Sequence, residues 1–413
     1  MYTLLLISVA ILAAINFSRI FVSMTVANLT KARKIKQRRA QGTTTSLGIS
    51  VVVPAYNEEK SIAQCVESLF ANDYADKEVI VVNDGSSDQT QNILEAMKVK
   101  YPELIVVHQE NAGKARALNN GIRNYVTKDL VMGLDGDSQV ASDALAKMAA
   151  HFEADSQLVA AATNVRIASA HTLIEYAQKF EYLIGYKYKE SEPSFNLEYI
   201  IGGIGSTFRL SALLAVGCYS TDSITEDIDL SMKMINVLGN KEAHFDYADD
   251  VLCFTPPAHN FTDLRKQRFR WKYGRFKALM KNRRLFFSRQ FDKYSATLTW
   301  WKLPKIVFFE EVMMLLDPLL VGFMFYILYT YFDFTVVSGS LVTFLIVSLM
   351  SVFSDTTLSK KERVVMTLTS PLTLMLMYII NVVDLLSLLK CITKFKEIIF
   401  NTNQTSKWTH IAR

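Results

Sequence analysis

The first half of the chain alternates β-branched apolar runs with stretches whose apolar positions recur at helical spacing. Residues 48–53 (GISVVV) read as a strand stopped by Pro54, and Ile62, Val66, Leu69 and Phe70 then mark one face of a helix. A second strand, 78–83 (EVIVVN), runs into Asp84-Gly85-Ser86-Ser87-Asp88 and a helix reaching about Val99. Residues 104–108 form a third strand, Asn111-Ala112-Gly113-Lys114 opens a helix to Tyr125, and 130–134 form a fourth strand. This alternation predicts a doubly wound α/β sheet with parallel strands.

In such a sheet, ligands bind beyond the carboxyl ends of the strands. Those ends carry Tyr56-Asn57-Glu58, Asp84-Gly85, Gly113-Lys114 and Asp135-Gly136-Asp137. Each alone reads as a turn or a helix cap; their arrival at one edge points to a shared site. Asp135 and Asp137 stand two apart, the spacing at which strand-end side chains share a side. They can converge on a hard cation that keeps open positions for phosphate oxygens. Lys114 at a helix start suits a pyrophosphate, and Asp84 suits a base or ribose. Neither G-x-G-x-x-G nor G-x-x-x-x-G-K-[ST] occurs, which speaks against a dinucleotide oxidoreductase or a P-loop enzyme.

Further on, Ile201-Gly202-Gly203-Ile204-Gly205 sets three glycines in five positions, the mark of a flexible loop or of backbone closely approaching another group. Ser223-Ile224-Thr225-Glu226-Asp227-Ile228-Asp229 reads as an ordinary helix start or as the source of an acid serving as general base. Between Leu264 and Gln290 there are eleven Lys and Arg residues, no acid, and many aromatics. That composition fits an amphipathic segment on an anionic membrane surface, and the apolar neighbours downstream argue against nucleic acid as the partner. Within it, Gln267, Arg270 and Trp271 fall on one helical face.

Half of the residues are hydrophobic, and they are unevenly spread. Residues 1–30 are almost uncharged and are followed by Lys31, Arg33, Lys34, Lys36, Arg38 and Arg39, the pattern of an uncleaved anchor with a cytoplasmic basic flank, 31–45. Residues 312–332 hold one charge, Asp317, while 334–353 and 364–383 hold none, and each run is long enough to span a bilayer. The resulting division is an anchor, a basic linker, a soluble domain on the cytoplasmic face at 46–260, an interfacial segment at 261–303, apolar helices at 304–332 and 334–353, a third at 364–389, and a tail at 390–413. Ser370-Pro371 is expected to break the third into an interfacial and a crossing part, or to make it re-entrant. Asp317 is expected to face protein or a wet passage, and Glu310 and Glu311 either do the same near the entry or sit at the bilayer rim; acids facing inward would let these spans line an exit route. Four scattered cysteines and six histidines show no ligand or pairing pattern, consistent with a reducing compartment.

In this order, PAYNEE, VVNDGSSD, NAGKARALNNG, LDGDS, GGIGSTFR, ITEDIDLSMKM and QRFRW cover roughly residues 50–275. Together they resemble the processive, membrane-embedded β-glycosyltransferases of glycosyltransferase family 2, which include cellulose, chitin, hyaluronan and poly-N-acetylglucosamine synthases. The C-terminal FFEEVMMLLDPLL and its following spans look most like the poly-β-1,6-N-acetylglucosamine group. The resemblance implies a GT-A fold inserted between transmembrane helices of the plasma membrane, a UDP-sugar donor and Mg2+ or Mn2+. It matches Tyr56, Asn57, Glu58, Asp84 and Lys114 to nucleotide contacts, Asp135 and Asp137 to the metal and diphosphate, and Asp227, beside Glu226, to the catalytic base. Gln267, Arg268, Arg270 and Trp271 match the acceptor and diphosphate motif, and Gly203 and Gly205 lie in the loop beside the acceptor sugar.

Those roles predict an inverting transfer from UDP-N-acetylglucosamine to a growing, exported polysaccharide of a biofilm or capsule matrix. The bilayer and a small accessory membrane subunit are the further partners considered. A non-processive transferase acting on a lipid or oligosaccharide, a hyaluronan- or cellulose-type synthase, and a non-catalytic membrane scaffold stay open as alternatives. The chain departs from the group in showing one span rather than two before the catalytic domain, and in continuing KYG after QRFRW.

Overall fold

The computed structural model describes residues 46–400 except 193, 194, 333 and 356, together with scattered positions between 7 and 32. The expected anchor and basic linker therefore lie largely outside the described residues, as do positions 401–413 of the tail.

The expected repeats form in order: β1 (Ile49–Ala55), α1 (Ile62–Phe70), β2 (Lys77–Asp84), α2 (Thr90–Lys100), β3 (Ile105–Gln109), α3 (Lys114–Tyr125) and β4 (Leu130–Gly133). Strand alternation sorts the core into two layers. Val51, Val53, Val79 and Val81 pack with Ile62, Val66 and Leu69 of α1. Val52, Ile80 and Val82 face the other way, onto Ala117, Leu118 and Ile122 of α3. β1 does not stop at Pro54 but continues to Ala55. Its pairing with β4 ends at Val52 opposite Gly133, while Pro54 still registers with Val82 of β2, so the missing N–H falls where the β4 ladder has already finished.

β5 (Gln139–Val140), α4 (Ala144–Ala154), β6 (Leu158–Ile167), α5 (Leu173–Lys189), β7 (Ser206–Arg209), α6 (Leu210–Ala215), α7 (Glu226–Leu238), β8 (His244–Thr255) and α8 (Phe261–Lys281) follow. The sheet order is β3-β2-β1-β4-β7-β6-β8-β5. Parallel pairing, expected throughout, holds from β3 to β4. β7 then runs antiparallel to both β4 and β6, and β5 antiparallel to β8, so the sheet is mixed. β7 can insert this way because it returns after the long β6–α5 excursion and closes Ser206 against Gly133, right beside the acidic loop.

Beyond α8 come two π-helical turns (Thr297–Lys302 and Lys305–Glu310), α9 (Glu311–Tyr331), α10 (Thr335–Ser354), α11 (Lys360–Thr369), α12 (Thr373–Thr393) and α13 (Phe395–Phe400). Three helical runs, Thr297–Tyr331, Thr335–Ser354 and Lys360–Thr393, are long and apolar enough to cross a membrane. The last is interrupted by a 3-10 turn over Ser370–Leu372, where Pro371 withholds a donor. The sheet domain and α8 rest directly on these helices: Ala177, Phe180 and Leu183 of α5 and Leu264 of α8 share one apolar cluster with Val352, Leu376, Ile380 and Val383. α8 is thus wrapped by protein on much of its surface, with Leu264, Gln267, Arg268, Lys272, Tyr273 and Gly274 all buried. Among its basic residues only some, such as Arg265 and Lys266, are exposed.

Candidate active site

A cavity of about 560 Å³ opens at the junction of β4, α3, α7, α5 and α8. One wall is the acidic loop after β4, with Asp135 and Asp137 on either side of Gly136. A Cβ at Gly136 would stand 3.2 Å from Glu58 Cγ, so glycine lets this loop settle against the segment carrying Glu58, which lines the same wall. Lys114, the first residue of α3, reaches across the cavity floor. Its Nζ lies 2.7 Å from Asp135 Oδ1 and 2.6 Å from Glu226 Oε1, joining the strand-end loop to α7. Burial opposes the ammonium charge, but Asp135, Glu226 and Asp227 outweigh it and hold Lys114 protonated well above its ordinary range.

The opposite wall begins with Thr225-Glu226-Asp227 at the start of α7. Asp227 Oδ1 accepts from the Ile228 amide at 2.8 Å, which fixes the carboxylate at the helix end. Burial first, and the negative charge of Glu226 second, push its pKa up to about 6, while Lys114 works against both. A Cβ placed on Gly203 would lie 3.3 Å from Asp227 Oδ2 and 3.5 Å from Lys114 Nζ, so bare backbone faces both charges there. An acid with a pKa near neutrality, beside a fixed cation and an open volume, is equipped to accept a proton.

The remaining wall is built by α5 and α8. Arg268 forms a two-pronged pair with Glu181, its Nη1 2.6 Å from Oε1, and its guanidinium stacks 4.8 Å from the centre of the Trp271 ring. Arg270 and Trp271 line the cavity alongside Arg268. Across from them stand Glu181, Tyr182, Tyr186 and Lys189, one face of α5. Sequence reasoning passed over this helix, although Tyr182 and Tyr186 at i and i+4 were a readable stripe. Gly274, the glycine of KYG, stands out in the sequence only as a departure from the group; a Cβ there would fall 2.2 Å from Thr225 Oγ1, so this glycine is what lets α8 lie against the helix start that bears Asp227.

Not every expected residue reaches the cavity. Asp84 is fully buried and its carboxylate is taken up by Gln109 Nε2 at 2.7 Å and the Ala112 and Gly113 amides at 2.8 Å, which sets the entry to α3. Asn57, at φ 57°, accepts from the Ser87 amide at 2.8 Å and ties two loops together, with Tyr56 beside it outside the cavity lining. Gly205 has φ +67° and a Cβ there would collide with Cys253 Sγ at 2.4 Å, so it serves the chain path. Gln267 is buried next to the lining rather than in it.

The donor set suits a divalent cation. Among the described residues no three or more His, Cys, Asp or Glu side chains form a metal cage. Asp135 and Asp137 open into a cavity with room for a phosphorylated ligand, and a hard cation held by two carboxylates completes its shell with phosphate oxygens and water.

Residues 50–216 match the profile of Glycosyl transferase family 2. A poly-beta-1,6-N-acetyl-D-glucosamine synthase of Staphylococcus aureus (strain COL) is 35% identical over 243 residues, 58% of this chain and 57% of that protein. Its counterpart in Staphylococcus epidermidis is 34% identical over 237 residues, 57% of this chain and 56% of that protein. The match thus spans a little over half the length of these relatives. Among solved structures, the mannosyltransferase PcManGT of Pyrobaculum calidifontis, in complex with GDP-Man and Mn2+, aligns with a TM-score of 0.50 at 18% identity, covering 87% of this chain and 99% of its own. That likeness establishes the GT-A-like α/β architecture of the sheet domain.

Proposed function

We propose that the protein is a membrane-embedded, inverting hexosyltransferase that extends a β-linked N-acetylglucosamine polymer from UDP-N-acetylglucosamine. The observation that carries this reading is the meeting of Asp135, Lys114 and Asp227 with Arg270 and Trp271 around one cavity. Asp227 accepts the proton of an acceptor hydroxyl as that oxygen bonds to the anomeric carbon; the bond from that carbon to the diphosphate breaks and its electron pair leaves with UDP. Attack from the face opposite the leaving group inverts the centre. Lys114 holds the strand-end loop against α7, so that the acid and the diphosphate pocket keep their spacing. Arg270 lines the cavity while the Arg268 guanidinium is engaged by Glu181, which favours Arg270 as the group that meets the developing negative charge. A Mg2+ or Mn2+ ion on Asp135 and Asp137 would supply further charge neutralisation at the diphosphate.

The apolar seating of α5 and α8 on α10 and α12 supports delivery of product to the membrane helices and hence repeated addition. Purified protein in nanodiscs, given a panel of UDP-sugars, is expected to release UDP with UDP-N-acetylglucosamine above all others. The product should be a polymer cut by a β-1,6-specific hydrolase. Release of UDP with only a single added sugar would instead make it a non-processive transferase, and no release with any donor would end the catalytic reading.

A further inference from the structure

A second cavity, of about 370 Å³, lies behind the loop that carries Asp227. Its floor is apolar, with Ala278, Met280 and Ile398, and Ile224 lines both it and the active-site cavity. Its rim carries Lys277, Lys281, Arg283 and Arg284 against the two carboxylates of Asp222 and Asp229. Lys281 Nζ stands 3.0 Å from Asp222 Oδ1 and 3.2 Å from Asp229 Oδ2, so one ammonium clamps both ends of the segment holding Thr225, Glu226 and Asp227. Lys281 is shared by both carboxylates, so four cationic side chains of the lining face two carboxylates, and the two arginines, exposed on the 3-10 turn Arg283–Leu285, have no carboxylate partner among the described residues. The cavity therefore presents a surplus of positive charge over an apolar base, next to α13 and the end of the last long apolar helix.

We propose that this cavity binds a phosphate-bearing anion and that its occupancy is felt by the Asp227 loop on its other side. A phosphate group placed between Arg283, Arg284 and Lys281 gains charge-assisted hydrogen bonds from both guanidinium groups. It also shares Lys281 with Asp222 and Asp229, which alters how firmly residues 222–229 are held. The same chemistry is offered by an anionic phospholipid headgroup, for which the apolar floor gives the first methylenes a seat, and by a free phosphate ion.

The test uses full-length protein in nanodiscs and reads amide hydrogen exchange over residues 222–230, a quantity that does not depend on turnover. Discs of neutral phosphatidylcholine are compared with discs containing phosphatidylglycerol, and inorganic phosphate is added to the neutral discs. A change in exchange confined to the anionic discs identifies a headgroup; a change on adding phosphate to neutral discs identifies the free ion. The Arg283→Gln/Arg284→Gln pair should weaken the response in either case, and in the anionic discs by roughly thirtyfold, since each of the two basic residues near an anionic surface contributes on the order of 1 kcal/mol. The Arg283→Lys/Arg284→Lys pair should keep most of it. No change in any arm, an equal response in the Gln pair, or equal loss in the Lys and Gln pairs would overturn the site.

Discussion

The active-site cavity has two kinds of wall. On the β1–β3 side the loops are fixed by short-range hydrogen bonds: Asp84 takes the Ala112 and Gly113 amides, Asn57 takes the Ser87 amide, and the Glu59 amide donates to Asp88 at 3.1 Å. On the α5–α8 side the parts are held by ion pairs between distant elements, Arg268 with Glu181 and Lys272 with Glu311 at 3.0 Å. Glu311 belongs to the first residues of α9 and also pairs with Arg275, so this wall is coupled to a helix long enough to span a membrane. The first wall is rigid through its own backbone. The second has the position that its helices give it.

The sharpest way to break the comparison is to remove the chemistry and keep both walls. Asp227→Asn preserves size and the Ile228 amide contact but cannot take a proton. UDP release should fall by about 10²–10⁴-fold, while binding of UDP, measured calorimetrically, stays near the wild-type value. Turnover within a factor of a few of wild type would remove Asp227 from its role.

Breaking the rigid wall comes next. Asp84→Ala leaves the half-buried Ala112 amide and the buried Gly113 amide without their acceptor, and a lost bond to a charged group costs about 1.5–3 kcal/mol. Thermal unfolding of the detergent-solubilised protein should shift down accordingly, and the affinity for UDP should drop with it because Lys114 starts the helix that Asp84 positions. An unchanged melting point with weakened UDP binding would instead make Asp84 a direct nucleotide contact.

Strand-end aspartates also mark where the sequence stops being legible. NDGS and LDGD look alike as strings, yet Asp84 is consumed by its own neighbourhood and Asp135 opens into the cavity; only the fold separates them. The β1–β4 half could be read because each strand and helix is short, local and cleanly periodic. β6 was missed because LVAAATNVRI is alanine-rich and buried at nearly every position, so it shows no alternation. The seating of Ala177, Phe180 and Leu183 of α5 was missed because their partners, Leu376, Ile380 and Val383, lie some two hundred positions downstream, beyond the reach of any local pattern. Asp227, Arg270 and Trp271, singled out by their motifs, all line the cavity. The glycine that brings their two helices together, Gly274, was noticed only as a departure.

Gly274 tests the second wall with a smaller effect. Gly274→Ala gains about 1 kcal/mol of helix propensity, but its Cβ would sit 2.2 Å from Thr225 Oγ1 and 2.4 Å from Cγ2. Overpacking of this kind costs about 1–3 kcal/mol, so the net change should be destabilising and should lower turnover by shifting α7 against α8. Adding Thr225→Ala removes the two nearest atoms and should recover part of both losses. A single Gly274→Ala variant that is more stable than wild type and fully active would show that the two helices are not held at this distance.

The smallest and most discriminating effect is in the pH profile. Asp227 acts as a base only when ionised, and its pKa is raised to about 6 by burial and then by Glu226. The rate per unit of enzyme and donor should therefore be flat above pH 6 and fall about tenfold per unit below it, as the proton occupies the carboxylate. Lys114 stays charged across that range, because Asp135, Glu226 and Asp227 hold its proton, so the acid limb belongs to the carboxylates. Glu226→Gln removes the negative neighbour and releases Lys114 from one of its two partners, and both changes favour the ionised form of Asp227. The limb should move to lower pH in that variant, even if the plateau rate drops through the loosened Lys114 bridge. A limb that stayed in place would mean that burial alone sets the acidity, and one that moved upward would mean that Glu226 had been assisting the charge on Asp227 rather than opposing it.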